Sequence, residues 1–291
     1  MKALRYGAEA ALFFFFMALF KLLGLDRASA FGGWIGRAIG PRLRSDQTAR
    51  NNLAAAFPEK SAAERDAIRM AMWDNLGRVI GEYPHLGKFT INGADPRLTV
   101  DFPADIAPGT NGVGRMYLSG HFGNWEMLPI AARQLGHDGA AVVRPPNNPL
   151  VARYLEQLRG RVGPKTQIAK HAAARRMFAT LKAGRELYML VDQKNDEGVG
   201  VPFFGRNAMT TPAPAALALK LGAKIAFVSN RRLDGARFQV TVHPGPDFLP
   251  SGDEKADIQA LTALITARIE EMVRENPSQW LWIHRRWPAA R

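Results

Sequence analysis

The chain has 291 residues, enough for one large domain with a substantial core, and its 47% hydrophobic and 22% charged content excludes a disordered or low-complexity protein. The absence of cysteine excludes disulfides, a thiol nucleophile and Cys-ligated zinc or iron–sulfur centres. A formal net charge of +13 predicts attraction to polyanions, whether nucleic acid, anionic lipid or an acidic carrier protein.

The first element is an apolar run of 11 residues, Ala10 to Phe20, flanked by Lys2, Arg5 and Lys21. It is short of the ~20 residues that span a bilayer, so it predicts a helix that enters one leaflet or lies in the interface, its cationic ends at anionic headgroups. Ala28-Ser29-Ala30 would suit signal cleavage, but Lys21, Asp26 and Arg27 stand where signal peptides are uncharged, and a retained anchor is the expectation.

Short helices follow at Ala28 to Ile39 and Asp46 to Phe57, separated by Gly40-Pro41. Ser61 and Glu64 have the form of a capping box and open an amphipathic helix through Ile68, Met72, Leu76 and Val79 to about His85. From Leu98 the pattern alternates. Strand-like runs at 98–102, 113–118, 140–143, 187–191, 225–229 and 238–242 interleave with helical ones at 125–135, 150–161, 172–183, 212–221 and 255–275. This predicts an α/β fold: a mixed, mostly parallel central sheet flanked by helices, the 225 and 238 runs forming an antiparallel hairpin. The expected divisions are an attachment helix at 1–25, a helical region at 26–96 and an α/β core at 97–291. In such a sheet a site is sought in the loops after strand ends.

One such loop is Tyr117-Leu118-Ser119-Gly120-His121-Phe122-Gly123-Asn124-Trp125-Glu126, where an apolar strand runs into Gly-His and a helix begins soon after. An imidazole accepts a proton near neutral pH, and a carboxylate on its other nitrogen fixes the tautomer and stabilises the imidazolium. A spacing of five is poor on one straight helix, so His121 and Glu126 can meet only if His121 precedes the helix.

The string Ser-Gly-His-Phe-Gly-Asn-Trp-Glu closely resembles the signature of bacterial lipid A biosynthesis acyltransferases, in the wider lysophospholipid acyltransferase superfamily. Further matches follow in the family's order: Val143-Arg144-Pro145-Pro146-Asn147-Asn148-Pro149, Leu190-Val191-Asp192-Gln193, Val201-Pro202-Phe203-Phe204-Gly205, and Gln279 to Trp287 around His284-Arg285-Arg286. The resemblance implies O-acyl transfer, from an acyl-carrier-protein or acyl-CoA thioester as co-substrate and with no other cofactor or metal, to a lipid A precursor at the cytoplasmic face of the bacterial inner membrane. It implies His121 as base and Glu126 as the residue that orients it. Arg144 is implied as a contact to phosphate or to the reacting ester, with Asp192 and Arg161 as further substrate-binding candidates; Asp192 is also open to a loop-capping role, and Arg161 to a place on a solvated helix face. The oxyanion is expected to meet backbone N–H groups of the 120–125 turn or Arg144.

The remaining features have plainer readings. His85, His137, His171 and His243 lack metal-ligand spacing and are expected at the surface or in loops, and Trp280, Trp282 and Trp287 are expected as packing residues or interfacial anchors. His284-Arg285-Arg286 is open to contact with lipid phosphate or to capping a last helical turn. Ser119 lies in no G-x-S-x-G elbow, which disfavours a Ser-His hydrolase. Another acceptor, such as a lysophospholipid, glycolipid or amino-acid lipid, is the nearest alternative. An inactive membrane scaffold is disfavoured by His121 and Glu126. A nucleic-acid-binding protein is disfavoured by the apolar start and the lack of a recognisable binding motif.

Overall fold

The computed structural model describes residues 2–103, 106, 112–169 and 173–287. His171 therefore lies outside the described residues, as does Ala172 at the start of one expected helix.

The N-terminal helix α1, Lys2–Leu23, is longer than the apolar run suggested. Ala, Leu and Met carry it past the phenylalanines on both sides, so Leu4–Leu23 is long and apolar enough, by length and composition, to cross a membrane. One face nonetheless packs on the protein: Ala10, Met17 and Phe20 are buried, while Leu12, Phe15 and Leu22 are 61, 63 and 86% exposed. Helices α2 (Leu25–Ile39), α3 (Arg44–Ala56) and α4 (Ala62–Glu82) follow. The Ser61–Glu64 capping box is formed, Ser61 Oγ accepting from Glu64 N at 3.2 Å and Glu64 Oε2 from Ser61 N at 2.8 Å. Gly32 and Gly36 of α2 meet Gly77 and Gly81 of α4 so closely that a Cβ on Gly32 would lie 2.3 Å from the Gly77 carbonyl oxygen. That contact brings α4, with Asn75 and Glu82, under the turn that carries His121.

The core is a seven-stranded sheet built from β1 (Leu98–Asp101), β2 (Met116–Ser119), β3 (Gly139–Val143), β4 (Thr166–Ala169), β5 (Glu186–Leu190), β8 (Ile225–Arg232) and β9 (Phe238–Pro244), in the order β1-β9-β8-β2-β5-β3-β4. Among the described residues of this sheet only β8 and β9 pair antiparallel, as the expected hairpin, and the other pairs are parallel. Helices α5 (Met127–Gln134), α6 (Pro149–Val162), α7 (Ala173–Lys182), α8 (Ala213–Leu221) and α9 (Glu254–Glu275) cover it. Strand alternation feeds two cores, with Met116 and Leu118 on one face of β2 and Tyr117 on the other. Beside the sheet, β6 (Val199–Phe203) and β7 (Arg206–Thr210) form a separate hairpin.

Of the histidines expected at the surface or in loops, His137 lies in the loop between α5 and β3, whereas His85 is buried and His243 is on β9. His85 is buried, its Nε2 2.9 Å from the Phe20 carbonyl oxygen, and so ties α1 to the body. His137 stacks on Phe102 with Nδ1 2.6 Å from Glu186 Oε1, and His243 Nε2 lies 2.9 Å from Ser229 Oγ.

Candidate active site

Strands β2 and β5 lie side by side and parallel at the middle of the sheet, with Ser119 opposite Leu190. The register continues past both ends, Val191 N donating to Ser119 O at 2.9 Å. Two residues beyond each strand therefore come together, and these are His121 and Asp192. The Nδ1–H of His121 donates to Asp192 Oδ1 at 2.8 Å, and its backbone N–H donates to Oδ2 at 2.8 Å. The indole N–H of buried Trp280 donates to the same Oδ2 at 2.8 Å. Because a carboxylate only accepts, Nδ1 carries a proton, and in the neutral ring Nε2 keeps its lone pair. Burial alone would raise the Asp192 pKa, but the His121 ring, by charge and hydrogen bond, holds the carboxyl well below the usual carboxylate range.

The turn carrying His121 is pinned from behind. Asn75 Nδ2 donates to Gly123 O at 2.9 Å, Gly123 N donates to Gln279 O at 3.0 Å, and Phe122 bridges Trp280. Gly123 has φ +50°, and a Cβ there would lie 2.9 Å from the Asn230 carbonyl oxygen. Below the turn, Asn124 Nδ2 donates to the buried Glu82 at 2.9 Å, and Arg232 pairs with that carboxylate. His121 is thus presented by a turn with little freedom to move.

Glu126 occupies a different place from the one expected. No hydrogen bond joins it to His121; the carboxylate is taken by Arg159 of α6, whose Nη2 donates to Oε1 at 2.6 Å and Nε to Oε2 at 3.1 Å, and by Tyr83 OH, donating to Oε1 at 2.7 Å. The reason is geometric: Glu126 immediately precedes α5 and turns toward α6, while the parallel register supplies Asp192 to the imidazole. Burial works against the Arg159 charge, but Glu126 and Tyr83 more than offset it and raise its pKa; burial and then Glu126 raise that of Tyr83. Arg161 is exposed, so the arginine of this helix that reaches the site is Arg159.

His121, Glu126 and Arg159 line one cavity of about 1150 Å³. Arg144, just past β3, lines it too, with its side chain at the exposed rim. Much of the lining is apolar and includes Leu128, Ile130, Val142, Leu155, Met177 and Met189. His121, Phe122 and Gly123 spend their backbone N–H groups on Asp192, Gly120 and Gln279. The turn therefore has fewer donors to offer an oxyanion than expected, and Arg144 gains weight in that role.

Five of these residues were not assigned to the His121 site from sequence. Gln193 and His284 reach the cavity beside His121; Trp280 holds Asp192 from below; Tyr83 and Arg159 hold Glu126. Of the C-terminal motif, Arg285 is exposed, while Arg286 is buried, donating to Met209 O at 3.1 Å and Thr210 Oγ1 at 2.7 Å. Burial lowers its pKa to about 10. This arginine anchors the C-terminal segment to β7. Trp280, Trp282 and Trp287 are buried in the main core, in keeping with packing.

Residues 1–289 match the family described as bacterial lipid A biosynthesis acyltransferase. The chain is 27% identical over 256 residues to a lipid A biosynthesis lauroyltransferase of Escherichia coli K12, covering 84% of this chain and 79% of that one. It is 27% identical over 272 residues to a lipid A biosynthesis palmitoleoyltransferase of the same organism, covering 88% and 83%, and to a lipid A biosynthesis acyltransferase of Shigella flexneri to the same extent.

Proposed function

Because the chain belongs to the bacterial lipid A biosynthesis acyltransferases, we propose that it moves a fatty acyl group from a thioester to a hydroxyl of a lipid A precursor, with His121 as base and Asp192 as the carboxylate that orients it. The observation that carries the mechanism is the bond from His121 Nδ1–H to buried Asp192, with Nε2 turned to the cavity. Nε2 takes the hydroxyl proton as the oxygen bonds to the thioester carbonyl carbon. The tetrahedral oxyanion then collapses, the C–S bond breaks, and the leaving thiolate recovers the proton from Nε2–H. Thioester, hydroxyl and imidazole account for every bond and proton, so the step calls on no further cofactor. General-base assistance is worth ~10²- to 10⁴-fold, and Arg144 at the rim supplies positive charge for the oxyanion or for phosphate on the acceptor. The acyl chain lies along the apolar wall from Leu128 to Met189.

The net positive charge suits an acidic acyl-carrier protein as donor, and anionic lipid at the cytoplasmic face of the inner membrane as the seat of α1. The buried face of α1 supports a helix lying in the interface, with Leu12, Phe15 and Leu22 toward lipid.

Purified enzyme with a carrier-bound acyl thioester and a lipid A precursor is expected to yield a product heavier by one acyl chain in mass spectrometry. Folded His121→Ala protein is expected to yield none, and turnover by it would overturn the mechanism. Leu12→Ser, Phe15→Ser and Leu22→Ser together are expected to lower binding to anionic vesicles while the fold, read by circular dichroism, is retained. Unchanged vesicle binding would remove α1 as the attachment.

A further inference from the structure

Asp192 fixes one nitrogen of His121; the other also has a neighbour. The side-chain Nε2 of Gln193 lies 3.3 Å from His121 Nε2 and 3.0 Å from His284 Nε2. The two imidazoles meet edge to face beside it, ring centroids 5.2 Å apart. In the neutral ring that gives Nδ1–H to Asp192, Nε2 of His121 has no proton and calls for a donor, and the amide NH₂ is the end of Gln193 that can supply one. The second amide hydrogen then points to His284 Nε2, which must likewise carry a lone pair. One donor-only nitrogen between two ring nitrogens is consistent only with both rings neutral. His284 is itself held: Asn52 Nδ2 donates to the backbone carbonyls of Trp282 and His284 at 2.8 and 2.6 Å. Burial, and then the nearby His121, lower the His284 pKa to about 4, in agreement with a neutral ring.

We propose that Gln193, anchored on His284, is a positioning residue that holds Nε2 of His121 unprotonated and aimed into the cavity, and yields that place to the acceptor hydroxyl. The inference rests on His121 as the base. The unequal distances fit the role, since the shorter bond keeps Gln193 on His284 and the longer one is readily exchanged. Once Nε2 has taken the hydroxyl proton, an N–H would face the amide NH₂. Gln193 must then turn its Oε1 toward the ring, where it accepts from the imidazolium until the thiolate takes the proton. His284 touches neither reacting atom; it acts by holding Gln193.

The charged groups that face this pair are Asp192 behind the ring, Arg144 beyond β3, Glu126 with Arg159 across the cavity, and Lys194, Asp196 and Glu197 on the loop after β5. Gln193→Glu adds a carboxylate, which only accepts, to that set and favours imidazolium. The test is the pH profile of kcat/KM with a carrier-bound acyl thioester, together with a double-mutant cycle. Gln193→Glu is expected to move the acidic limb upward by about one pH unit or more. Gln193→Ala and His284→Asn are each expected to lower kcat about tenfold with little change in KM, and the double variant to lose no more than either alone. An unmoved acidic limb in folded Gln193→Glu protein, or losses that multiply in the double variant, would overturn the role. If His121→Ala is inactive while the Gln193 variants behave as wild type, the positioning role fails and the base survives. If folded His121→Ala still turns over, the base itself fails.

Discussion

Two sides of the same cavity each rest on a buried carboxylate, Glu126 in the lining and Asp192 behind His121, and they do opposite things with it. At the sheet wall Asp192 meets an imidazole, an indole N–H and a backbone N–H, so its charge is shared with a group able to gain and lose a proton. At the helix wall Glu126 meets a guanidinium and a phenol whose pKa values are both raised, a set that does not exchange protons near neutrality. The first holds the proposed base. The second ties the segment leading into α5 to α6 and Tyr83, and so shapes the cavity. A carboxylate at a given sequence distance from a histidine is therefore a weaker guide to function than the partner that the fold puts beside it.

The comparison breaks most sharply on activity. Asp192→Asn replaces an acceptor with a group that can donate to Nδ1, which favours the tautomer with Nε2 protonated and removes the base; kcat is expected to fall ~10²- to 10⁴-fold with the fold intact. Glu126→Gln should cost activity less than about tenfold but stability about 3 kcal/mol, because Arg159 keeps its buried charge with only an amide to meet it. Steady-state kinetics and denaturant unfolding of the two variants would decide. A folded Glu126→Gln protein as inactive as Asp192→Asn would place Glu126 in the chemistry.

Acid sharpens the same contrast. His284, ordinarily protonated below about 6.5, stays neutral in the folded chain down to about 4. Between those values the unfolded state takes up the proton first, so stability falls as pH drops through the window and is restored as pH rises. The share due to His284 is about 3 kcal/mol. His85 and His243 are also lowered by burial and add to the wild-type slope, so the quantity that isolates His284 is the difference between wild type and His284→Asn. That difference should diminish from pH 7 to pH 4; curves that stay parallel would refute the assignment. Asp192 acts at lower pH, its contribution present above about 4 and lost as pH falls further.

Much of this arrangement was legible before any coordinates. Alternating apolar runs placed six of the seven sheet strands and the β8–β9 hairpin, because buried parallel strands read as continuous hydrophobic stretches. The strand β4 was missed because Thr166 and Gln167 interrupt the apolar pattern at the sheet edge, and the β6–β7 hairpin because Pro202 and the polar Arg206-Asn207 pair hide it. His121 stood out by the motif that carries it, and Asp192 was a candidate by the same resemblance. Their pairing was not legible, because Asp192 is 71 residues away and reaches His121 only through the parallel register of two strands. Arg159 and Arg161 could not be ranked from composition: two residues apart on a helix they face nearly opposite directions, and only packing decides which turns inward. Gln193 and Trp280 each have a plain reading as a loop residue and a core residue, and a hydrogen bond gives each its place in the site.

The smallest effect is expected where the sheet wall is supported from beneath. Trp280 is buried against Phe203 and Trp282, with ring centroids at 5.8 and 4.6 Å, and its indole N–H is one of two donors to Asp192 Oδ2. Trp280→Phe keeps most of the aromatic packing and removes that donor, leaving Oδ2 with the His121 backbone N–H alone. A hydrogen bond to a charged group is worth about 1.5 to 3 kcal/mol, and the backbone bond that remains keeps the expected loss of stability near the lower figure. The carboxylate, less well held, should take up a proton more readily, and the imidazole should be less firmly oriented. The kcat should accordingly fall by about tenfold or less, against the far larger loss in Asp192→Asn, with KM unchanged because Trp280 does not line the cavity. A raised KM with unchanged kcat would mean instead that the substitution had disturbed the cavity wall through the neighbouring tryptophans, and that the indole N–H does not set the charge on Asp192.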